Sequence, residues 1–124
     1  MIAVALAVAA VGCGTEGIEV SKTDPANIQT GAELFAQRCS GCHTLTPAGT
    51  QGSSNRSERV QGPNLDQRPE TVDDVIYAIR NGGFSGAIMP QNVVVGADAD
   101  KVAAFVAKYA GEDVTQSPRP TSSP

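Results

Sequence analysis

Three side chains able to bind metals or form covalent bonds fall within one five-residue stretch, Cys39-Ser40-Gly41-Cys42-His43. Two thiols at this spacing sit about one helical turn apart. Each can form a thioether with one edge of a flat macrocycle while the adjacent imidazole turns beneath its centre. C-x-x-C-H is the spacing of covalent c-type haem attachment. A redox dithiol would call for a βαβ context, and a zinc site for a second pair of ligands. The only cysteine outside the motif is Cys13, and His43 is the sole histidine, so both of those readings lack partners.

A haem held from one side by a histidine leaves the opposite axial position to be filled. Met89, in Met89-Pro90, is the candidate. Methionine is more often core filler than ligand, but the other methionine is Met1, which would leave with an export signal. Ile2 to Gly12 is an unbroken apolar run, too short to span a bilayer and long enough for such a signal, although it lacks the usual preceding positive charge. Ala10-Val11-Gly12-Cys13 resembles the lipid-attachment box of bacterial lipoproteins, with Ala10 where leucine is usual. Lipidation would account for Cys13. The alternative is a cysteine caught by chance in a signal peptide.

These residues need elements to position them. From Asn27 to Arg38 a first helix is expected, since Ile28, Ala32, Phe35, Ala36 and Cys39 make one apolar stripe. Gly31 costs about 1 kcal/mol there relative to alanine, a cost that close approach of another helix would offset. A second helix is expected from Thr71 to Asn81, with Thr71 and Asp74 approximating a capping box and Val72, Val75, Ile76 and Ile79 on one face. Asn81-Gly82-Gly83 ends it. Asp98 to Tyr109 reads as the last helix, with Val102, Phe105, Val106 and Tyr109 inward and Lys108 suiting the C-terminal dipole. Between them, Thr46 to Gln61 has no apolar period and reads as a surface loop. Its Arg56 and Arg59 are candidates for haem propionates against the commoner outcome of solvated charge. Gly62-Pro63-Asn64-Leu65 marks a rigid turn with an apolar anchor, and Val93 to Val95 reads as buried loop.

The expected organisation is an export signal with a possible lipid-attachment cysteine (1–13), a flexible tether (14–26), a helical domain (27–111) and a disordered Pro/Ser/Thr-rich tail (112–124). As a flexible coil from Cys13 to Asn27 the tether would reach on the order of 20 Å, and about 45 Å fully stretched. A domain this small is marginal without a staple. With three Phe, two Tyr and no Trp, a buried macrocycle would supply missing apolar bulk. The net charge is -4, yet from Asn27 to Gly111 seven Lys/Arg nearly balance eight Asp/Glu, so the excess lies in the flanks. No basic patch with interleaved aromatics is present, which removes nucleic acid as a partner.

In this order, Gly31, Phe35, the Cys39–His43 motif, Gly62-Pro63-Asn64-Leu65, Asn81-Gly82, Met89-Pro90, Phe105 and Tyr109 resemble a class I monohaem cytochrome c of bacterial type over about 85 residues. The resemblance implies an all-α small cytochrome c fold, three main helices and loops wrapped around one covalent haem c. It implies that first and last helices cross near Gly31 and Phe35 against Phe105 and Tyr109. It makes His43 and Met89 the axial ligands and the Pro63 carbonyl the acceptor for the other His43 nitrogen, with Tyr77 or Asn81 candidates to bond near the Met89 sulfur. The loop from His43 to Pro63 is longer than in compact members. The implied function is a one-electron carrier, not an enzyme, acting as a monomer on the extracytoplasmic face of the bacterial cytoplasmic membrane, lipid-anchored or soluble. Its implied partners are a quinol-oxidising complex, a terminal oxidase or one dedicated dehydrogenase. The rival class is a haem enzyme or gas sensor with an open or displaceable sixth position.

Overall fold

Three helices carry the fold in the computed structural model, which describes residues 17–52, 62–83 and 89–112. Helix α1 spans Ala26–Arg38, α2 Val72–Asn81 and α3 Gly96–Tyr109. α1 buries Ile28, Gly31, Ala32 and Phe35, and α3 buries Ala99, Val102, Ala103, Phe105, Val106 and Tyr109. The two stripes face each other, and α2 packs chiefly on α3. Gly31 is where α1 and α3 meet: a Cβ built there would lie 2.8 Å from the Phe105 Cβ and closer still to the Lys101 carbonyl oxygen. Phe35 and Phe105 meet edge to face at 5.8 Å, with Tyr109 5.5 Å beyond Phe105, an arrangement favoured by the ring quadrupoles.

α2 begins with the expected reciprocal cap. The Thr71 hydroxyl accepts the Asp74 N–H at 3.1 Å, and the Asp74 carboxylate accepts the Thr71 N–H at 3.3 Å. Its face is less covered than its sequence pattern implies: Ile79 is buried, Val75 and Ile76 are half-buried and Val72 is exposed. Val72 opens the helix, and Val75 faces the cavity between the helices. α3 starts two residues earlier than expected, at Gly96, leaving Asp98 in the first turn. Of the three valines expected as buried loop, Val94 is buried, Val93 half-buried and Val95 exposed, since Val95 caps α3 from outside.

The stretch expected as surface loop after His43 departs from that reading in its first part. Strand β1 (Thr44–Leu45) pairs antiparallel with β2 (Thr50–Gln51), Thr44 opposite Gln51 and Leu45 opposite Thr50. A short 3-10 turn, Thr46–Ala48, joins them, and Gly49 closes it at φ 65°. Leu45, Ala48 and Thr50 are buried. Two-residue strands are too short to produce a sequence period; here the Thr50 hydroxyl adds to the pairing, accepting the Leu45 N–H at 3.0 Å and donating to the His43 carbonyl at 3.1 Å. A Cβ on Gly52 would lie 2.8 Å from the Cys42 nitrogen. The hairpin thus backs directly onto the cysteine motif.

Part of the expected tether is folded onto the domain. The Glu19 N–H donates to the Pro47 carbonyl at 2.9 Å, and the Ser21 N–H to the Tyr109 hydroxyl at 3.1 Å. Asp24, buried, accepts hydrogen bonds from Lys108 Nζ and the Tyr109 hydroxyl. The strap so formed links the approach to α1 with the end of α3.

Candidate functional site

The cysteine motif continues the chain from the end of α1. Cys39 N–H donates to the Phe35 carbonyl at 2.8 Å, and Cys42 and His43 N–H donate to the Cys39 carbonyl at 3.2 and 3.0 Å. That extra turn places both thiols on one side and turns the imidazole back toward the core, 6.4 Å from the Phe35 ring. His43 Nδ1 lies 3.0 Å from the Pro63 carbonyl. A carbonyl only accepts, so this bond puts the proton on Nδ1 and leaves Nε2 a lone pair. Gly62, whose N–H donates to the Cys42 carbonyl at 2.7 Å, lies against the ring: a Cβ there would sit 2.5 Å from Nδ1. In the sequence Gly62 is only turn punctuation; its role depends on a neighbour nineteen positions away.

Met89 reaches the same region through a chain reversal after α2. Gly82, at φ 76°, turns the backbone where a Cβ would lie 2.7 Å from the Met89 carbonyl. Gly83 N–H donates to that carbonyl at 3.3 Å, and Asn92 N–H to the Ile79 carbonyl at 2.7 Å. Asn81, a candidate partner for the Met89 sulfur, instead directs its amide nitrogen to the Tyr77 carbonyl of its own helix at 2.8 Å. Tyr77 lines the cavity described next and is half-exposed. Arg56, Arg59 and Cys13 lie outside the described residues.

Between the three helices lies a cavity of about 870 Å³, and Cys39, Cys42, His43, Pro63 and Met89 all line it. Phe35, Leu65, Val75, Ile79, Val102 and Val106 give it an apolar wall. The size is that of a cofactor site. A wall of this kind against two thiols, an imidazole and a thioether fits a haem, and Gly62 supplies the clearance the imidazole needs. Arg38 and Arg68 are also on the wall, Arg68 bonded to Glu70. Neither was singled out in the sequence, where nothing distinguishes them from solvated charges. Burial pushes the Cys39 thiol up to about 12, with Cys42 beside it adding to the effect.

A small helical protein whose covalent-attachment motif and candidate ligands share one apolar cavity has the construction of a c-type cytochrome. The family model described as "Cytochrome C oxidase, cbb3-type, subunit III" matches residues 26–106. Cytochrome c-551 of Bacillus subtilis (strain 168) is 32% identical over 119 residues, covering 90% of this chain and 91% of that protein. The crystal structure of the c-type cytochrome SorU from Sinorhizobium meliloti superposes with a TM-score of 0.56 at 31% identity, covering 68% of this chain and 92% of that one. The chain belongs to this cytochrome c family, as a monohaem class I member with covalently bound haem c.

Proposed function

We propose that the chain is a one-electron carrier with His43 and Met89 as axial ligands, working on the extracytoplasmic side of a bacterial cytoplasmic membrane and tethered there through Cys13. The observation that carries this reading is the convergence of Cys39, Cys42, His43 and Met89 on one cavity. When bound, the haem supplies a reversible one-electron couple whose potential a histidine–methionine pair raises. The residues do the rest. Cys39 and Cys42 fasten the macrocycle, Pro63 orients His43 and raises its basicity, and the wall from Phe35 to Val106 excludes water. Arg38 and Arg68 offer cations for the propionates. With His43 and Met89 both holding the iron, no open position would remain for a substrate, the property that separates a carrier from an enzyme. The match to a cbb3-type oxidase subunit family supports a terminal oxidase as acceptor; a quinol-oxidising complex or a dehydrogenase is the donor class. Such encounters are weak and small.

The deciding experiment is the absorption spectrum of oxidised and reduced protein with and without carbon monoxide. A sulfur-to-iron charge-transfer band in the oxidised protein, its loss in Met89→Ala with haem still attached, and slow or absent carbon monoxide binding are expected. Rapid stoichiometric binding at neutral pH would move the protein to the enzyme or sensor class, and a band surviving Met89→Ala would remove Met89 as ligand. For the tether, Cys13→Ser is expected to release the protein from the membrane fraction; unchanged fractionation excludes lipidation at Cys13.

A further inference from the structure

We propose that Asp66 is a positioning residue for the haem ligand: bonded to Thr46, it helps hold the Pro63 carbonyl in register with His43 and thereby tunes how strongly the imidazole donates to iron. The inference rests on His43 being an axial ligand. Two segments, Cys42–Thr46 and Gly62–Asp66, lie side by side and are bonded at three levels. At one end the Gly62 N–H donates to the Cys42 carbonyl at 2.7 Å. In the middle His43 Nδ1 meets the Pro63 carbonyl at 3.0 Å. At the other end the Thr46 N–H and hydroxyl donate to the two Asp66 carboxylate oxygens, each at 2.7 Å.

Asp66 is 7% exposed, and a carboxylate removed from water requires such donors. Its own backbone is fixed by Asn64, whose side-chain oxygen accepts the Asp66 N–H at 3.0 Å. Pro63 has no N–H to contribute, so its carbonyl is held beside His43 by its neighbours: Gly62 on one side, and on the other Leu65, buried and accepting the Gly111 N–H at 2.7 Å, together with Asp66. Asp66 closes the end farther from the cysteines. Opening it leaves Pro63 held by Gly62 and Leu65 without the Thr46 link, which loosens the Nδ1–H bond and would make the imidazole a poorer donor to ferric iron.

The test uses the full chain with haem attached. It measures exchange of the His43 Nδ1 proton by NMR in the reduced state, the midpoint potential, and thermal stability. Asp66→Ala is expected to speed exchange by about tenfold or more and to raise the potential, since ferric iron loses the more basic ligand. Thr46→Val, which removes only the hydroxyl, gives a smaller shift of the same sign, and Thr46→Ser restores both values. Thr71→Ala, which weakens α2 away from the ladder, lowers stability without moving either readout. Asp66→Ala and Thr46→Val that destabilise like Thr71→Ala but leave exchange and potential unchanged would overturn the proposal; where Asp66→Ala does not fold, Thr46→Val decides alone. His43 ring protons lacking the large upfield shift of an iron-bound imidazole would instead reject the ligand assignment beneath it, and the proposal with it.

Discussion

Gly31 shows how one missing side chain sets the distance between two helices. Alanine at this position would gain up to about 1 kcal/mol of helix propensity. It would also drive a methyl into the Lys101 carbonyl and the Phe105 Cβ, and a backbone carbonyl inside a helix cannot rotate away. Overpacking of this kind costs about 1–3 kcal/mol, and because the closest contact is a backbone carbonyl the cost lies at the upper end, so Gly31→Ala is expected to be net destabilising by about 2 kcal/mol in denaturant unfolding. A neutral or stabilised variant would mean that α1 and α3 lie farther apart than described. Gly62 obeys the same logic against an imidazole instead of a backbone, which ties its smallness to the site and not to the core.

At the level of elements, α2 depends on its cap more than its neighbours do. α1 and α3 have no side-chain hydrogen bond at their N-caps, but each buries an apolar stripe that holds it in place. α2 buries only Ile79 fully. Its start rests on the Thr71–Asp74 box, and hydrogen bonds from the Thr71 side chain and backbone hold the Asp74 carboxyl below its ordinary range. Thr71→Ala is expected to cost about 1 kcal/mol, with faster amide exchange confined to the first turn of α2. Uniform loss of protection across the molecule would show that α2 unfolds only with the whole domain.

Across the whole molecule, the strap around Asp24 joins the chain ahead of α1 to the end of α3. Hydrogen bonds from Lys108 and then Tyr109 hold the Asp24 carboxyl below its ordinary 3.8. Bonding to Asp24 raises Lys108 above 10.5 and Tyr109 above 10.0. A lowered acid stabilises the fold above its unfolded value and loses that contribution as pH falls through the folded one; raised bases and phenols lose theirs as pH rises through their folded values. The strap should therefore be intact from about pH 4 to pH 10 and loosen on either side. Asp24→Asn is expected to lower the melting temperature inside that window, flatten its pH dependence at both edges, and expose the Ser21 amide to exchange. A melting curve with unchanged pH dependence would show that the strap contributes nothing to stability. The strap also shortens the free tether, so an anchor at Cys13 would hold the domain closer to the membrane than a flexible segment to Asn27 allows.

Much of this protein was determined by residue type and spacing alone. C-x-x-C-H specifies covalent haem because thiols and imidazole act at fixed separations along one turn, and the three helices follow from apolar periodicity that needs no knowledge of distant neighbours. Tertiary structure decided what depends on contacts between segments far apart in sequence. The hairpin after His43 is too short to leave a period. Gly62 matters only because an imidazole lies against it, and Asp66 only because Thr46 lies opposite. Asp24 is an ordinary acid in a polar stretch until Lys108 and Tyr109, more than eighty positions away, close around it. Local propensity is written into neighbours along the chain, whereas clearance, register and the pairing of buried charge exist only once the helices have packed.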